Sequence, residues 1–139
     1  NPYFRPSSSG FWQGWHISLS TWLRDCLFLP MCGRSQSAVR PHLAALASMA
    51  LCGLWHAPQW GWLLWGLAHG AGLSVHQGWT LFLRKRFALK KKLAKSLPYR
   101  VAATLLTFHF VALTWVLVSI DANDLDAAWR YFAILLGLG

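Results

Sequence analysis

The sequence contains no glutamate, and four aspartates stand against thirteen lysines and arginines. Charged residues make up 12% of the 139 positions, too few to cover the surface of a water-soluble domain of this length. The few aspartates lie far from His56 in sequence and no Gly-x-Ser-x-Gly is present, which removes the usual signatures of a serine triad. Cys26, Cys32 and Cys52 show neither CxxC pairing nor zinc-ligand spacing; they read as small apolar fillers, and no metal site is expected. The opening, Asn1-Pro2-Tyr3-Phe4-Arg5-Pro6, is polar and proline-rich rather than a signal peptide. It has no initiator methionine, so the chain is expected to be the C-terminal portion of a larger membrane protein. No internal repeat stands out.

What the sequence has is apolar surface. Hydrophobic residues make up 55%, with ten tryptophans. Two uncharged runs, residues 60–83 and 101–120, are each long enough to cross the hydrocarbon core as a helix. The expected fold is all-α: a polytopic integral membrane protein with interfacial and re-entrant helices packed against transmembrane helices. The net charge of +9 raises nucleic-acid binding as a possibility, but Arg84, Lys85, Arg86, Lys90, Lys91, Lys92, Lys95 and Arg100 all fall between the two runs. A basic connection between spans is what the positive-inside rule predicts. Residues 84–97 are therefore expected to form a cytoplasmic loop able to touch anionic lipid headgroups, and no nucleic-acid partner is expected.

Along the chain, residues 1–10 read as an extended loop whose Ser7, Ser8 or Ser9 can cap a helix. Residues 11–29 follow a helical pattern, with Trp12, Trp15, Leu19, Trp22, Leu23 and Cys26 forming an apolar stripe. His16, Ser20 and Arg24 run beside it at four-residue steps. This segment, ended by Pro30 and Gly33, suits a helix at the membrane interface. Pro41 can open the next helix, a short, re-entrant one that delivers the chain to His56. In residues 60–83, Gly66, Gly70, Ser74 and Gly78 form a small-residue ridge for close helix approach, while Trp62, Trp65, His69 and His76 share a neighbouring face. A polar turn at 121–124 and a terminal helix over 127–138 complete the expected layout.

The stretch Leu51-Cys52-Gly53-Leu54-Trp55-His56-Ala57-Pro58-Gln59-Trp60-Gly61-Trp62 organises the rest. It lies within a segment free of formal charge from Pro41 to Leu83. Pro58 disfavours helical geometry at Ala57 and supplies no backbone donor, so a helix break is expected beside His56. In a membrane, broken helices occur where the backbone is packed in protein or lines a wet cavity, and an ionisable residue there is a functional candidate. Trp15, Trp55, Trp60 and Trp62 are candidates to line a substrate path, Ser20, Arg24 and His69 to contact substrate, and His76 to pack.

Two blocks carry a resemblance. Phe11-Trp12-Gln13-Gly14-Trp15-His16-Ile17-Ser18-Leu19-Ser20-Thr21-Trp22-Leu23-Arg24-Asp25 is similar to a motif FW-x-x-WH-x-SLS-x-WLRD. Gly53-Leu54-Trp55-His56, followed by Leu64-Trp65-Gly66-Leu67-Ala68-His69-Gly70, is similar to GLWHG followed by WGL-x-HG. Both resemble the membrane-bound O-acyltransferase family, in its bacterial branch around alginate O-acetylation and teichoic acid D-alanylation. The chain departs from the pattern at Gln13-Gly14, Cys26, Cys32-Gly33 and Ala57-Pro58, and keeps both histidines.

The resemblance implies a multi-pass protein of the bacterial plasma membrane that moves an acyl group, acetyl by this kinship, from a thioester donor to a hydroxyl of an envelope glycan. It places the catalytic histidine at His56 and a second polar catalytic position, filled in the family by histidine or asparagine, at His16. It implies no permanently bound cofactor, an acyl-CoA or acyl-carrier protein as co-substrate, and the bilayer, the glycan acceptor and accessory acyltransferases outside the membrane as partners. Two other readings compete. His56, His69, His76 and His109 lie in or beside apolar segments as in b-type haem proteins, with His69 and His109 facing each other. A structural or transport segment without chemistry is the third.

Overall fold

The computed structural model describes residues 1–33 and 37–119, together with 130, 133 and 134. The polar turn at 121–124 and almost all of the expected helix over 127–138 lie outside the described residues. Among the described residues every regular element is helical and none is a strand.

After a short 3-10 turn at Pro2–Phe4 come α1 (Ser8–Gly14) and α2 (Ile17–Leu23). Ser7 caps α1 by accepting the Gly10 N–H at 3.1 Å. The single helix expected over 11–29 is therefore two helices. The expected stripe is not one buried face across the break: Trp12 and Leu23 are buried and Trp15 and Leu19 half-buried, whereas Trp22 and Cys26 are exposed. A π turn, Arg24–Phe28, links α2 to α3 (Leu29–Cys32), so the helix continues past Pro30 and ends at Gly33. A proline ring clashes with the preceding turn of a regular α-helix. The wider π turn just before Pro30 gives that ring room.

The central unit is an antiparallel hairpin of α4 (Arg40–His56) and α5 (Trp60–Arg84), with Pro41 in the first turn of α4. Its two backbones touch through glycine. A β carbon at Gly53 would run into the Trp62 carbonyl, and one at Gly66 into the Met49 carbonyl. At Gly70 it would stand 2.8 Å from the Leu46 Cα. Ser74 extends the seam by donating its hydroxyl to the His42 carbonyl at 3.4 Å. The ridge stops there, since Gly78 faces open space. Gly66→Ala should therefore destabilise the hairpin by about 1–3 kcal/mol, the usual cost of forcing an extra methyl into a packed seam. Gly78→Ala should be neutral or slightly stabilising, since alanine favours helix. Unfolding of the full-length protein in detergent, followed for both variants, checks the pair; equal losses would refute the close seam.

After α6 (Phe87–Lys95), α7 (Leu97–Ser119) crosses back against α5. Gly72 lets it approach, since a β carbon there would meet the Phe110 ring at 2.8 Å. Leu97–Val118 is long and apolar enough to span a membrane, with hydropathy 2.0 and only 17% of its most apolar window buried. α5 has the length, but its glycines, His69, His76 and Gln77 leave it less apolar than α7. The buried core is small and aromatic: Phe11, Trp12, Leu23, Met49, Cys52, Trp65 and Val111, with His69 inside it.

Candidate active site

His56 is the last residue of α4. The Ala57 N–H still closes onto the Gly53 carbonyl at 3.3 Å, but Ala57 itself is extended (φ −161, ψ 143). The residue before a proline is driven there by the proline ring. Helix resumes at Trp60, so the break occupies Ala57–Gln59. The His56 ring is exposed and framed by indoles. It stacks on Trp62 at 4.6 Å with 17° between planes, meets Trp55 edge-on at 4.9 Å, and lies 6.0 Å from Trp65.

His16 sits at the other break, between α1 and α2. Its backbone is left-handed (φ 44, ψ 54), the one non-glycine residue with positive φ among those described. Such geometry costs a non-glycine residue on the order of 1–3 kcal/mol and tends to occur at functional sites. The turn is held locally: the Ser20 hydroxyl donates to the Trp15 carbonyl at 3.0 Å, and the Ser20 N–H to the His16 carbonyl at 2.9 Å. The two breaks border one aromatic cluster: Trp115 packs against Trp15, beside His16, at 6.5 Å and against Trp65 at 6.0 Å, and Trp65 lies 6.0 Å from the His56 ring. Partial burial pushes the His56 pKa below the usual 6.5, and positive charge at His16 pushes it further the same way. Both effects favour the neutral imidazole, the form able to accept a proton.

The other candidates divide. Trp15 packs against Tyr3, Phe11 and Trp115 with centroids 5.6–6.5 Å apart, forming a wall. Trp55 touches His56, whereas Trp60 opens α5 largely exposed, and it is Trp62 that stacks on the imidazole. Arg24 is bound to its neighbour Asp25, Nε to Oδ1 at 2.8 Å. That bond raises the Arg24 pKa and lowers that of Asp25. Arg24 and Ser20 also line a cavity of about 570 Å³ between α1, α2, α4 and α5, with Gln13, His76, Gln77 and Arg84. A cavity of that volume holds a small organic ligand.

His69 lies in the core, 1% exposed, with both ring nitrogens engaged. The Trp12 Nε1–H donates to Nδ1 at 3.2 Å, and Nε2 faces the Thr114 hydroxyl at 3.0 Å. The Thr114 hydroxyl spends its proton on the Val111 carbonyl at 2.7 Å, so it accepts from His69. The ring is therefore fixed as the neutral Nε2–H form, tying α1, α5 and α7 together, and no nitrogen is left for a ligand. His109 is exposed and bonds the Leu105 carbonyl of its own helix at 2.7 Å. The facing pair of His69 and His109 required by the haem reading is not formed. Sequence reasoning overlooked Thr114 and Trp12 as partners of His69. Only the shared face of Trp62, Trp65 and His69 hinted at an aromatic cluster.

Among the described residues the chain is helical, one helix is apolar enough to span a membrane, and His56 and His16 stand at two helix breaks beside tryptophan. Residues 4–119 match the membrane-bound O-acyltransferase family, and the chain belongs to it. It is 33% identical over 138 residues to a probable alginate O-acetylase AlgI of Azotobacter vinelandii, covering 99% of this chain and 25% of that protein. It is 31% identical to a peptidoglycan O-acetyltransferase of Helicobacter pylori, covering 99% and 24%. It is 29% identical to a teichoic acid D-alanyltransferase of Streptococcus thermophilus, covering 89% and 33%. The chain thus spans about a quarter to a third of the length of these relatives.

Proposed function

We propose that this chain carries the histidine site of a bacterial, multi-pass membrane O-acyltransferase, moving an acyl group, acetyl by kinship, from a thioester to a hydroxyl of an envelope glycan. The observation that carries the reading is that His56 and His16 stand at two helix breaks bordering one tryptophan cluster, with burial shifting His56 toward its free base. His56 takes the proton of the acceptor hydroxyl as its oxygen attacks the thioester carbonyl. The new C–O bond forms, the C–S bond breaks, and the proton passes from His56 to the departing thiolate. His16 donates a hydrogen bond to the oxygen on which charge develops. Trp55 and Trp62 wall the reacting groups, and the cavity edged by Arg24 and Arg84 receives the thioester-bearing arm of the donor, acyl-CoA or acyl-carrier protein. Trp15, Trp60 and Ser20 shape the site without touching the reacting atoms. No residue need be acylated.

The test uses the full-length protein in membranes, a thioester labelled in its acyl group and a hydroxyl-bearing glycan. Label should move to the acceptor, and acid-quenched protein should carry none. A protonated His56 cannot act as base, so the rate should fall as pH drops through its pKa, with the midpoint below 6.5. Label retained covalently on the protein, or a rate flat from pH 5 to 8, would refute direct attack assisted by His56.

A further inference from the structure

The structure carries a second surface, remote from His56 in the fold and independent of its chemistry. Between Lys85 and Arg100, beyond the Arg84 that edges the cavity, lie seven cations, all exposed. Among the described residues the one carboxylate side chain is that of Asp25, and it is bonded to Arg24. No described carboxylate therefore offsets these charges. They are not an extended, solvated tail. Lys90, Lys91, Lys92 and Lys95 stand on α6, which is joined to α5 through Lys85 and Arg86 and to α7 through Ser96 alone.

Apolar and aromatic groups are interleaved with the charges. Phe87 is 75% and Leu97 68% exposed. Leu89 and Leu93, four residues apart, are half-buried on one side of α6. Below them, Trp79 stacks on Phe82 at 5.4 Å, the Arg86 guanidinium lies 4.4 Å over the Phe82 ring, and the Trp79 Nε1–H donates to the Tyr99 hydroxyl at 3.0 Å. Tryptophan and tyrosine with one wet end favour the headgroup level of a bilayer.

We infer that α6 lies flat in the headgroup layer as a seat for anionic phospholipids, its lysines meeting lipid phosphates while Phe87 and Leu97 enter the acyl boundary. Charge complementarity selects an anion. The connections of two residues and one residue select a lipid over a soluble acidic protein, because they keep α6 level with the ends of α5 and α7. A soluble polyanion also offers nothing to Phe87 and Leu97, whereas the headgroup boundary takes both. Long lysine stems suit this position, since they lie along apolar surface while the ammonium stays wet.

The experiment uses purified full-length protein in neutral detergent, with phosphatidylglycerol or phosphatidylcholine added in separate arms. Bound lipid is counted by native mass spectrometry and unfolding temperature is recorded. Phosphatidylglycerol should be retained and should raise the unfolding temperature; phosphatidylcholine should do neither. The triple variant Lys90→Gln, Lys91→Gln, Lys92→Gln should lose retention on the order of tenfold or more, while unfolding like the parent in detergent alone. Inorganic phosphate at matched concentration should not reproduce the effect. Equal retention of both lipids, undiminished retention by the triple variant, or full stabilisation by free phosphate would overturn the assignment. So would tighter binding of an acidic carrier protein than of phosphatidylglycerol, lost in the same variant.

Discussion

Replacing His56 by alanine in the full-length protein should reduce acyl transfer by about 10²–10⁴-fold, the usual cost of removing a general base, while the protein still inserts and folds. The ring is exposed at the end of α4 and makes no hydrogen bond that closes the fold among the described residues; its ring contacts there are faces and edges of Trp55, Trp62 and Trp65. Its loss removes chemistry before it removes stability. His56→Asn should be as inactive as His56→Ala, because an amide cannot accept a proton at neutral pH. His16→Asn should be milder than His56→Asn, since an amide can still donate a hydrogen bond and asparagine tolerates left-handed geometry. His16→Ala should lose both the donor and the tolerance. His109→Ala is the internal control, because that ring is exposed and bonds only its own helix among the described residues. Label transfer normalised to folded protein in the membrane reads all five. Full activity in His56→Ala would sink the mechanism, and equal losses across the set, His109→Ala included, would signal general destabilisation.

The two breaks that build this site were unequally legible. Pro58 announces the one at His56, because proline constrains both itself and the residue before it. Nothing comparable marks His16. Its left-handed backbone follows Gly14 and Trp15 inside an apolar stripe with unbroken helical spacing, and a local pattern cannot register a turn imposed by packing. The glycine seam was legible for Gly66 and Gly70, since small residues at four-residue steps have one common use in membranes. That Gly78 faces nothing depends on where α4 begins, which spacing within α5 does not encode. The same limit governed Pro30, which reads as a helix stop until the π turn before it is seen. His69 was the least legible residue. Its partners, Trp12 and Thr114, are 57 and 45 residues away, so its hydrogen bonds exist only after three helices have met.

That placement gives His69 a different kind of expected effect. His69→Ala should lower the unfolding free energy by about 3–5 kcal/mol, the range for truncating a large ring in a packed core, and acyl transfer should fall with it. The substitution opens a void between Phe11, Trp12, Trp65 and Phe110, whose rings lie 4.6–6.2 Å from the imidazole. It also strands the Trp12 indole N–H beside Trp65, whose own Nε1 is buried without a partner among the described residues. The hydrogen bonds are the smaller part, since such bonds between membrane helices average roughly 0.6 kcal/mol. Shape therefore dominates, and His69→Gln, which can accept from Trp12 and donate to Thr114 but fills less space, should recover only part of the loss. A cycle with Thr114→Val separates the two contributions: Thr114→Val should cost more when His69 is present to be left unpaired than in the His69→Ala background. Denaturant unfolding in detergent and label transfer, measured side by side on the full-length variants, decide between roles. If His69→Ala abolishes transfer with unfolding unchanged, His69 belongs to the substrate site after all. If both fall together, and the coupling to Thr114 is found, the ring holds α1, α5 and α7 in the arrangement that sets the two histidine breaks beside one tryptophan cluster.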